Sequence, residues 1–199
     1  GLGQISAAMY KNGGELFLEK SRYVGLLKTN SASSIITDSA AGATAFSTGK
    51  KTYNGAINMD IDTLPLLPIT VSLHTNGIKT GIVATSSVTH ATPACFYGNQ
   101  VNRYGVNEDL AKQFINSNIS VLIGGGRDYF NKRSDRLNLI DSLEENNYVV
   151  IDSIIENIPD DTEKLINFCA STEPLSKIEG RGDFLALAAE KAVTVLNTN

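Results

Sequence analysis

The segment Thr37–Ala45 places an aspartate and a serine, Asp38 and Ser39, directly before a run of small, mostly alanine residues. A serine at the start of a helix lies beside unpaired N–H groups and the positive end of the helix dipole. Both favour a bound phosphate and a serine alkoxide. The same pattern is also typical of an ordinary helix cap, in which the two side chains only satisfy free N–H groups. Ser39 is therefore a candidate nucleophile, and the alternative is a purely structural role as part of a helix cap.

A second group of polar residues, His90, Thr92 and Arg103, follows a stretch with the composition of a buried strand. Ligands of open α/β sheets bind at the carboxyl ends of strands, so this loop is well placed for a site. His90 and Thr92 are two positions apart, and in extended backbone their side chains would share one face. The planar guanidinium of Arg103 suits a pair of phosphate oxygens. A hydrogen-bonded loop histidine and a surface arginine are the structural alternatives.

Two other motifs resemble nucleotide-binding loops and fail in detail. Gly49-Lys50-Lys51 lacks the first glycine of a P-loop, because Thr44 lies at that position. The glycine run at 124–126 lacks the third glycine of a dinucleotide loop, because Tyr129 occupies it, and it predicts a tight turn. The sequence therefore gives no support for a nucleotide-binding loop.

From about Pro68 onward, short apolar runs alternate with helical patterns, whereas the region before Pro68, which carries Asp38 and Ser39, is less regular. Such alternation is the signature of βαβ units, so we expect an α/β fold of three layers, with helices flanking a mostly parallel sheet. The predicted helices are Gly3–Lys11, Ala40–Phe46, Pro68–Thr75, Asn107–Asn116, Asp135–Asn146 and Asp183–Leu196. The predicted strands are Tyr23–Lys28, Lys79–Ser86, Ile119–Ile123, Tyr148–Ile151 and Leu165–Ala170.

The composition is that of a folded globular chain: 42% of the 199 residues are hydrophobic and 19% are charged. A net charge of -4 argues against a large basic surface for nucleic acid. No apolar run approaches the roughly 20 residues of a membrane span, and no signal segment opens the chain. Cys95 and Cys169 fit either two thiols or one disulfide. The two histidines, His74 and His90, cannot easily furnish a multi-zinc site by themselves.

Taken together, these segments resemble the alkaline phosphatases. Thr37–Ala45 and the following residues through Ala56 are similar to the nucleophile segment of that family. Val88–Ala94 is similar to the loop that carries its magnesium-site residues, and Val101-Asn102-Arg103 to its phosphate arginine. Leu122–Phe130 also matches a family stretch, and the resemblance runs in order over nearly all of the chain.

The resemblance implies a role for each matching residue. Ser39 matches the serine that becomes phosphorylated and contacts a zinc ion, and Asp38 the acid that helps to hold the arginine. Arg103 matches the arginine that binds two phosphate oxygens, and Thr92 a magnesium ligand. His90 lies where some members have Asp and others His, beside the third metal. The implied cofactors are two Zn2+ and one Mg2+.

The resemblance also implies an activity. We expect a metal-dependent phosphomonoesterase that acts through a phosphoserine. Its substrates would be phosphate monoesters, and it would release inorganic phosphate. The resemblance is also compatible with a homodimer and implies a location in the periplasm or outside the cell. The family's first metal-binding strand and its later Glu, Asp and His ligands have no counterpart here, so residues 1–199 are expected to be one domain truncated at both ends and inactive alone. The alternatives are a phosphodiesterase or sulfatase of the same superfamily, or a non-catalytic module that binds phosphate or a partner.

Overall fold

A computed structural model describes residues 2–152, 158–159 and 162–197. Its parallel sheet has four strands in the order β1-β2-β4-β3. The strands are β1 (Gly81–Ser87), β2 (Val121–Gly125), β3 (Val149–Ile151) and β4 (Leu165–Ala170). Four of the predicted strands are therefore confirmed, with ends that differ by at most two residues. The first two glycines of the run at 124–126 belong to β2, and only Gly126, at φ 101°, makes the turn that the run predicts.

Eight α-helices lie in the described part of the chain, besides one 3-10 turn at Phe17–Lys20. They are α1 (Leu2–Lys11), α2 (Ser39–Thr48), α3 (Ile69–Thr75), α4 (Ala91–Ala94), α5 (Asn107–Phe114), α6 (Asp128–Asn131), α7 (Leu139–Glu145) and α8 (Phe184–Leu196). All six predicted helices are present, whereas the one-turn helices α4 and α6 are too short for a periodic pattern to reveal. No described helix is both long and apolar enough to cross a membrane.

Helices cover both faces of the sheet, which confirms the three-layer α/β fold. Successive side chains of a strand point to opposite faces. Leu122 of β2 therefore packs with Phe114, Phe130 and Leu143 of the helices on one face. Its neighbours Val121 and Ile123 pack on the other face with residues of α8, including Val195. The continuous apolar runs of these strands follow from this two-sided burial.

The predicted strand Tyr23–Lys28 is wrong. This segment has no regular structure, and the side chains of Tyr23, Val24 and Leu26 are almost fully exposed. A strand needs a neighbour to pair its backbone groups, and none of the four strands lies beside this segment. The segment is instead fastened at its end by Lys51, whose ammonium donates to the carbonyl oxygens of Lys28 and Asn30.

Two other expectations need correction. Helix α7 begins at Leu139 rather than Asp135, because Asp135 accepts hydrogen bonds from Arg133 and from the N–H of Leu137, and Arg136 has a positive φ of 62°. We also expected that Phe184, Leu187 and Val195 would form an uncovered apolar face. In the structure Val195 is buried and Phe184 packs against the same cluster, whereas Leu187 is half exposed.

The cysteines do not pair. Cys95 and Cys169 are both free thiols, the first buried and the second exposed. Of the two alternatives that their spacing allowed, the structure shows two separate thiols.

Candidate active site

Helix α2 begins with Ser39, and the residue before it sets the position of the hydroxyl. Asp38 is the N-cap, with extended backbone (φ -89°, ψ 176°), and its Oδ1 accepts a hydrogen bond from the N–H of Ala41 at 2.9 Å. The N–H groups of Ser39 and Ala40 donate to no acceptor within the described residues. The side chain of Ser39 is exposed at a helix end with two free donors, the arrangement that favours an anion.

Small side chains let α2 approach the loop that carries His90. Ala40 and Ala43 of α2 pack in one buried cluster with Ala91 and Ala94 of α4. His90 is the N-cap of α4 and directly precedes this contact, so the packing of two short helices fixes the distance between His90 and Ser39. The small side chains of this segment therefore allow α2 and α4 to pack closely.

A buried thiol lies beneath this contact. The Sγ of Cys95 lies 3.4 Å from Thr44 Oγ1 and 3.5 Å from the carbonyl oxygen of Ala40, to which it donates. Burial raises the pKa of Cys95 from about 9 to about 11, because it penalises the thiolate more than the neutral thiol. The thiol is therefore a neutral part of the support for α2 and not a nucleophile itself.

The guanidinium of Arg103 contacts three of the other predicted site residues, Asp38, Ser39 and His90. Its Nη1 donates to Ser39 Oγ and lies 3.4 Å from Asp38 Oδ2. Its Nη2 lies 3.3 Å from His90 Nε2. Because a guanidinium can only donate, Nε2 of His90 is the acceptor in this contact, and its lone pair faces Arg103. The side chain of Arg103 is only 15% exposed, which strengthens these contacts relative to a surface pair.

A turn outside the predicted site completes the environment of Asp38. The N–H of Gly55 donates to Asp38 Oδ2 at 3.1 Å, and the amide of Asn54 contacts the backbone on both sides of Thr37. The sequence identifies Asn54 and Gly55 only as part of the segment through Ala56 that resembles the nucleophile segment of the family. The Asn-Gly pair was a usable signal, since it marks a turn whose glycine adopts positive φ, here 93°.

Thr92 is the predicted site residue that the structure leaves apart. It lies within α4 with an exposed side chain. Within the described residues no hydrogen bond joins its hydroxyl to Ser39, His90 or Arg103. Its role as a metal ligand remains a prediction.

The predicted metal ligands do not form a metal centre on their own. Ser39 and Thr92 offer only hydroxyl oxygens, and Nε2 of His90 faces Arg103. No group of three His, Cys, Asp or Glu side chains could hold a metal ion within residues 2–152, 158–159 and 162–197. The donors present here therefore do not fit a zinc or magnesium site without further ligands.

What these residues can do together is bind an oxyanion next to a hydroxyl. One guanidinium contacts Ser39 Oγ, and two free N–H groups lie in the same first turn of a ten-residue helix, at the positive end of its dipole. The carboxylate of Asp38 lies beside the same Nη1 that donates to Ser39 Oγ and helps to orient the cation. This arrangement fits transfer of a phosphoryl group to or from Ser39.

Comparisons with known proteins agree with this geometry. A family model described as "Alkaline phosphatase" matches residues 6–197. An alkaline phosphatase of Schizosaccharomyces pombe is 37% identical over 161 residues, which are 70% of this chain and 30% of that protein. Alkaline phosphatase 3 of Bacillus subtilis is 36% identical over 157 residues, 76% of this chain and 34% of that protein. The matched part is thus about a third of the length of these relatives.

Solved structures extend the likeness to the whole chain. The alkaline phosphatase from the Antarctic bacterium TAB5 superposes with a TM-score of 0.95 at 37% identity, over 100% of this chain and 59% of that one. A variant of the same enzyme, in which a histidine is replaced by glutamate, holds Mg in a site called M3 and gives a TM-score of 0.93 at 37% identity, over 100% of this chain and 58% of that one. The chain therefore belongs to the alkaline phosphatase family.

Proposed function

We propose that the protein hydrolyses phosphate monoesters with Ser39 as its nucleophile. The observation that carries this proposal is the guanidinium of Arg103, which contacts Ser39, Asp38 and His90 at the start of α2. Membership of the alkaline phosphatase family supports a phosphomonoester as the substrate and inorganic phosphate as a product.

The residues of this chain account for binding and for the first bond change. Arg103 and the free N–H groups of Ser39 and Ala40 bind the non-bridging oxygens of the phosphate. Ser39 Oγ attacks phosphorus, an Oγ–P bond forms, and the bond to the ester oxygen breaks; the hydroxyl proton passes to solvent, and the leaving oxygen takes up a proton from water and departs as an alcohol. Asp38 keeps Arg103 aligned while charge moves from the attacking to the leaving oxygen. Water then cleaves the phosphoserine and regenerates the hydroxyl.

The proposal includes metal ions, two Zn2+ and one Mg2+, in the protein as a whole. Metal ions of this kind supply a Lewis acid and a lower pKa for a bound hydroxyl or water. Ser39, Thr92 and His90 would be the contribution of this chain, and all other ligands would lie outside the described residues. Support comes from family membership and from the TAB5 variant with bound Mg.

His90 is the proposed counterpart of the histidine that is replaced in that variant. The chain has only two histidines, and His74 lies on α3 without any contact to Ser39 or Arg103 in the described structure. An acidic residue would offer magnesium the oxygen ligand that it prefers over imidazole.

Four wider proposals concern the protein as a whole, and the first three follow from family membership rather than from the site. Residues 1–199 form one part of a single phosphatase domain, since they cover 58–59% of the TAB5 chains. A homodimer and a periplasmic or extracellular location are proposed for the protein as a whole. The 199 residues alone are proposed to be inactive, because the donors in their described part do not complete a metal site.

The test is Ser39→Ala in the protein expressed from its complete reading frame. We expect no phosphoserine after mixing with substrate, measured by intact mass at low pH, and a turnover reduced by at least about 10³-fold. A panel of a phosphate monoester, a phosphate diester and a sulfate ester identifies the substrate class. Full activity of the variant would contradict the proposal. Phosphate binding without turnover in metal-replete protein would favour a non-catalytic binding module.

A further inference from the structure

Asn54 uses both ends of its side-chain amide to hold the backbone that leads into α2. Its Nδ2 donates to the carbonyl oxygen of Ile36 at 2.9 Å, and its Oδ1 accepts from the N–H of Asp38 at 3.2 Å. The two bonds engage the carbonyl before Thr37 and the N–H after it, which is the pair of groups that a neighbouring β-strand would bind. They fix the direction in which the chain enters the helix that carries Ser39.

The next residue continues this hold onto the carboxylate of Asp38. The N–H of Gly55 donates to Oδ2, the same oxygen that faces Nη1 of Arg103. The other oxygen, Oδ1, accepts from the N–H of Ala41. Asp38 is therefore fixed at its backbone N–H by Asn54, at one oxygen by Gly55 and at the other by α2, which leaves little freedom for the Arg103 pair.

We propose that Asn54 is a positioning residue: it acts through Asp38 to hold Arg103 and Ser39 in register for one phosphate. This inference rests on the proposed function, since it assumes that Ser39 and Arg103 share a phosphate. Asn54 itself is exposed and does not contact Ser39 or Arg103 in the described structure. Its effect is therefore indirect, and it differs from a general contribution to folding.

Two features separate this role from simple stability. Asn54 lies on the surface, so its removal exposes no core and leaves no buried cavity. Its two bonds end on the residues beside the nucleophile, whereas an otherwise comparable capping asparagine, Asn138, accepts from the N–H of Ile140 at the start of α7. Asn138→Ala thus removes a similar bond without any connection to Asp38.

The experiment compares Asn54→Ala with Asn138→Ala in the protein expressed from its complete reading frame. We expect Asn54→Ala to lower kcat/KM by about tenfold and to raise the Ki of inorganic phosphate by a similar factor, because two hydrogen bonds that align Asp38 are lost. Asn138→Ala should change both values less than about twofold. If the alanine variant fails to fold, Asn54→Asp is measured instead. This variant keeps the size of the side chain and the acceptor for the N–H of Asp38, but it places an oxygen against the carbonyl of Ile36.

The path through Arg103 is tested by a double-mutant cycle. In an Arg103→Ala background, Asn54→Ala should lower kcat/KM by less than about twofold, since the group that it positions is gone. Wild-type kinetics of the Asn54 variants would overturn the inference, as would an equal loss in both Arg103 backgrounds or an equal loss in Asn138→Ala. Failure of the proposed function would look different: Ser39→Ala would then retain activity, whatever Asn54 does.

Discussion

The buried thiol of Cys95 makes the stability of this fold depend on alkaline pH. Burial places the pKa of the folded-state thiol near 11, above the ordinary value of 9 that the unfolded chain regains. Since the folded pKa is the higher one, the stabilising contribution is complete below about pH 9 and is lost as the pH rises toward about 11. One pKa unit corresponds to about 1.4 kcal/mol, so the full loss is about 3 kcal/mol.

Cys95→Ala removes this pH dependence. At about pH 10, one unit above the unfolded pKa, the wild-type protein should have lost about 1.4 kcal/mol through Cys95 alone. The variant is less stable at neutral pH, since Sγ no longer fills the space between Thr44 and Ala40. The difference in unfolding free energy between the two proteins should therefore shrink by about 1.4 kcal/mol between about pH 8 and pH 10.

The assay is urea unfolding at both pH values, followed by circular dichroism. Burial also raises the pKa values of Tyr97 and Tyr148, the latter to about 12, and because burial, rather than the smaller contribution of Cys95 to Tyr97, is the main cause, the effects of the two tyrosines nearly cancel between the two proteins. Cys169→Ala serves as the matched control and should retain most of the alkaline loss, because Cys169 is exposed. Parallel pH profiles for wild type and Cys95→Ala would refute the reasoning.

Three further predictions concern the site. His90→Asp should increase the dependence of activity on magnesium, measured by titration of Mg2+ into metal-stripped enzyme; an unchanged titration would count against a metal role for His90. Arg103→Lys should raise the Ki of inorganic phosphate by about tenfold or more, because an ammonium cannot replace the planar fork that spans Ser39, Asp38 and His90; an unchanged Ki would contradict it. Residues 1–199 alone should bind little zinc by mass spectrometry and should not hydrolyse p-nitrophenyl phosphate, whereas stoichiometric zinc with turnover would show that these residues complete the site.

The sheet could be predicted from local sequence because its strands are buried on both faces. Val121, Leu122 and Ile123 each lie in a core, so the run reads as continuously apolar whichever face a residue points to. Helix α2 was similarly accessible, since an Asp cap before a small-residue run and Gly49 after it mark both ends. The same local logic failed at Tyr23–Lys28, where β-type residues are present but no neighbouring strand is.

From the sequence, only the residue types of the candidate site could be predicted, and not their arrangement in space. Arg103 lies more than 60 positions from Ser39, and nothing local to either residue states that the guanidinium reaches both the hydroxyl and His90. Family resemblance supplied the roles, and the packing of α2 on α4 supplies the distances. Asn54 was missed because its contacts, 16 and 18 residues back along the chain, follow from the shape of a turn rather than from a motif of its own.

The contact between Arg103 and Ser39 has a consequence for the release of product. Nη1 of Arg103 is engaged by Ser39 before any phosphate arrives, so binding a phosphate exchanges one hydrogen bond for another rather than adding one. The gain from an exchanged bond is a difference, which is much smaller than the strength of either bond. In the proposed reaction the serine thus competes with the free phosphate for the same donor, and each turnover would end with an internal group that can displace the product.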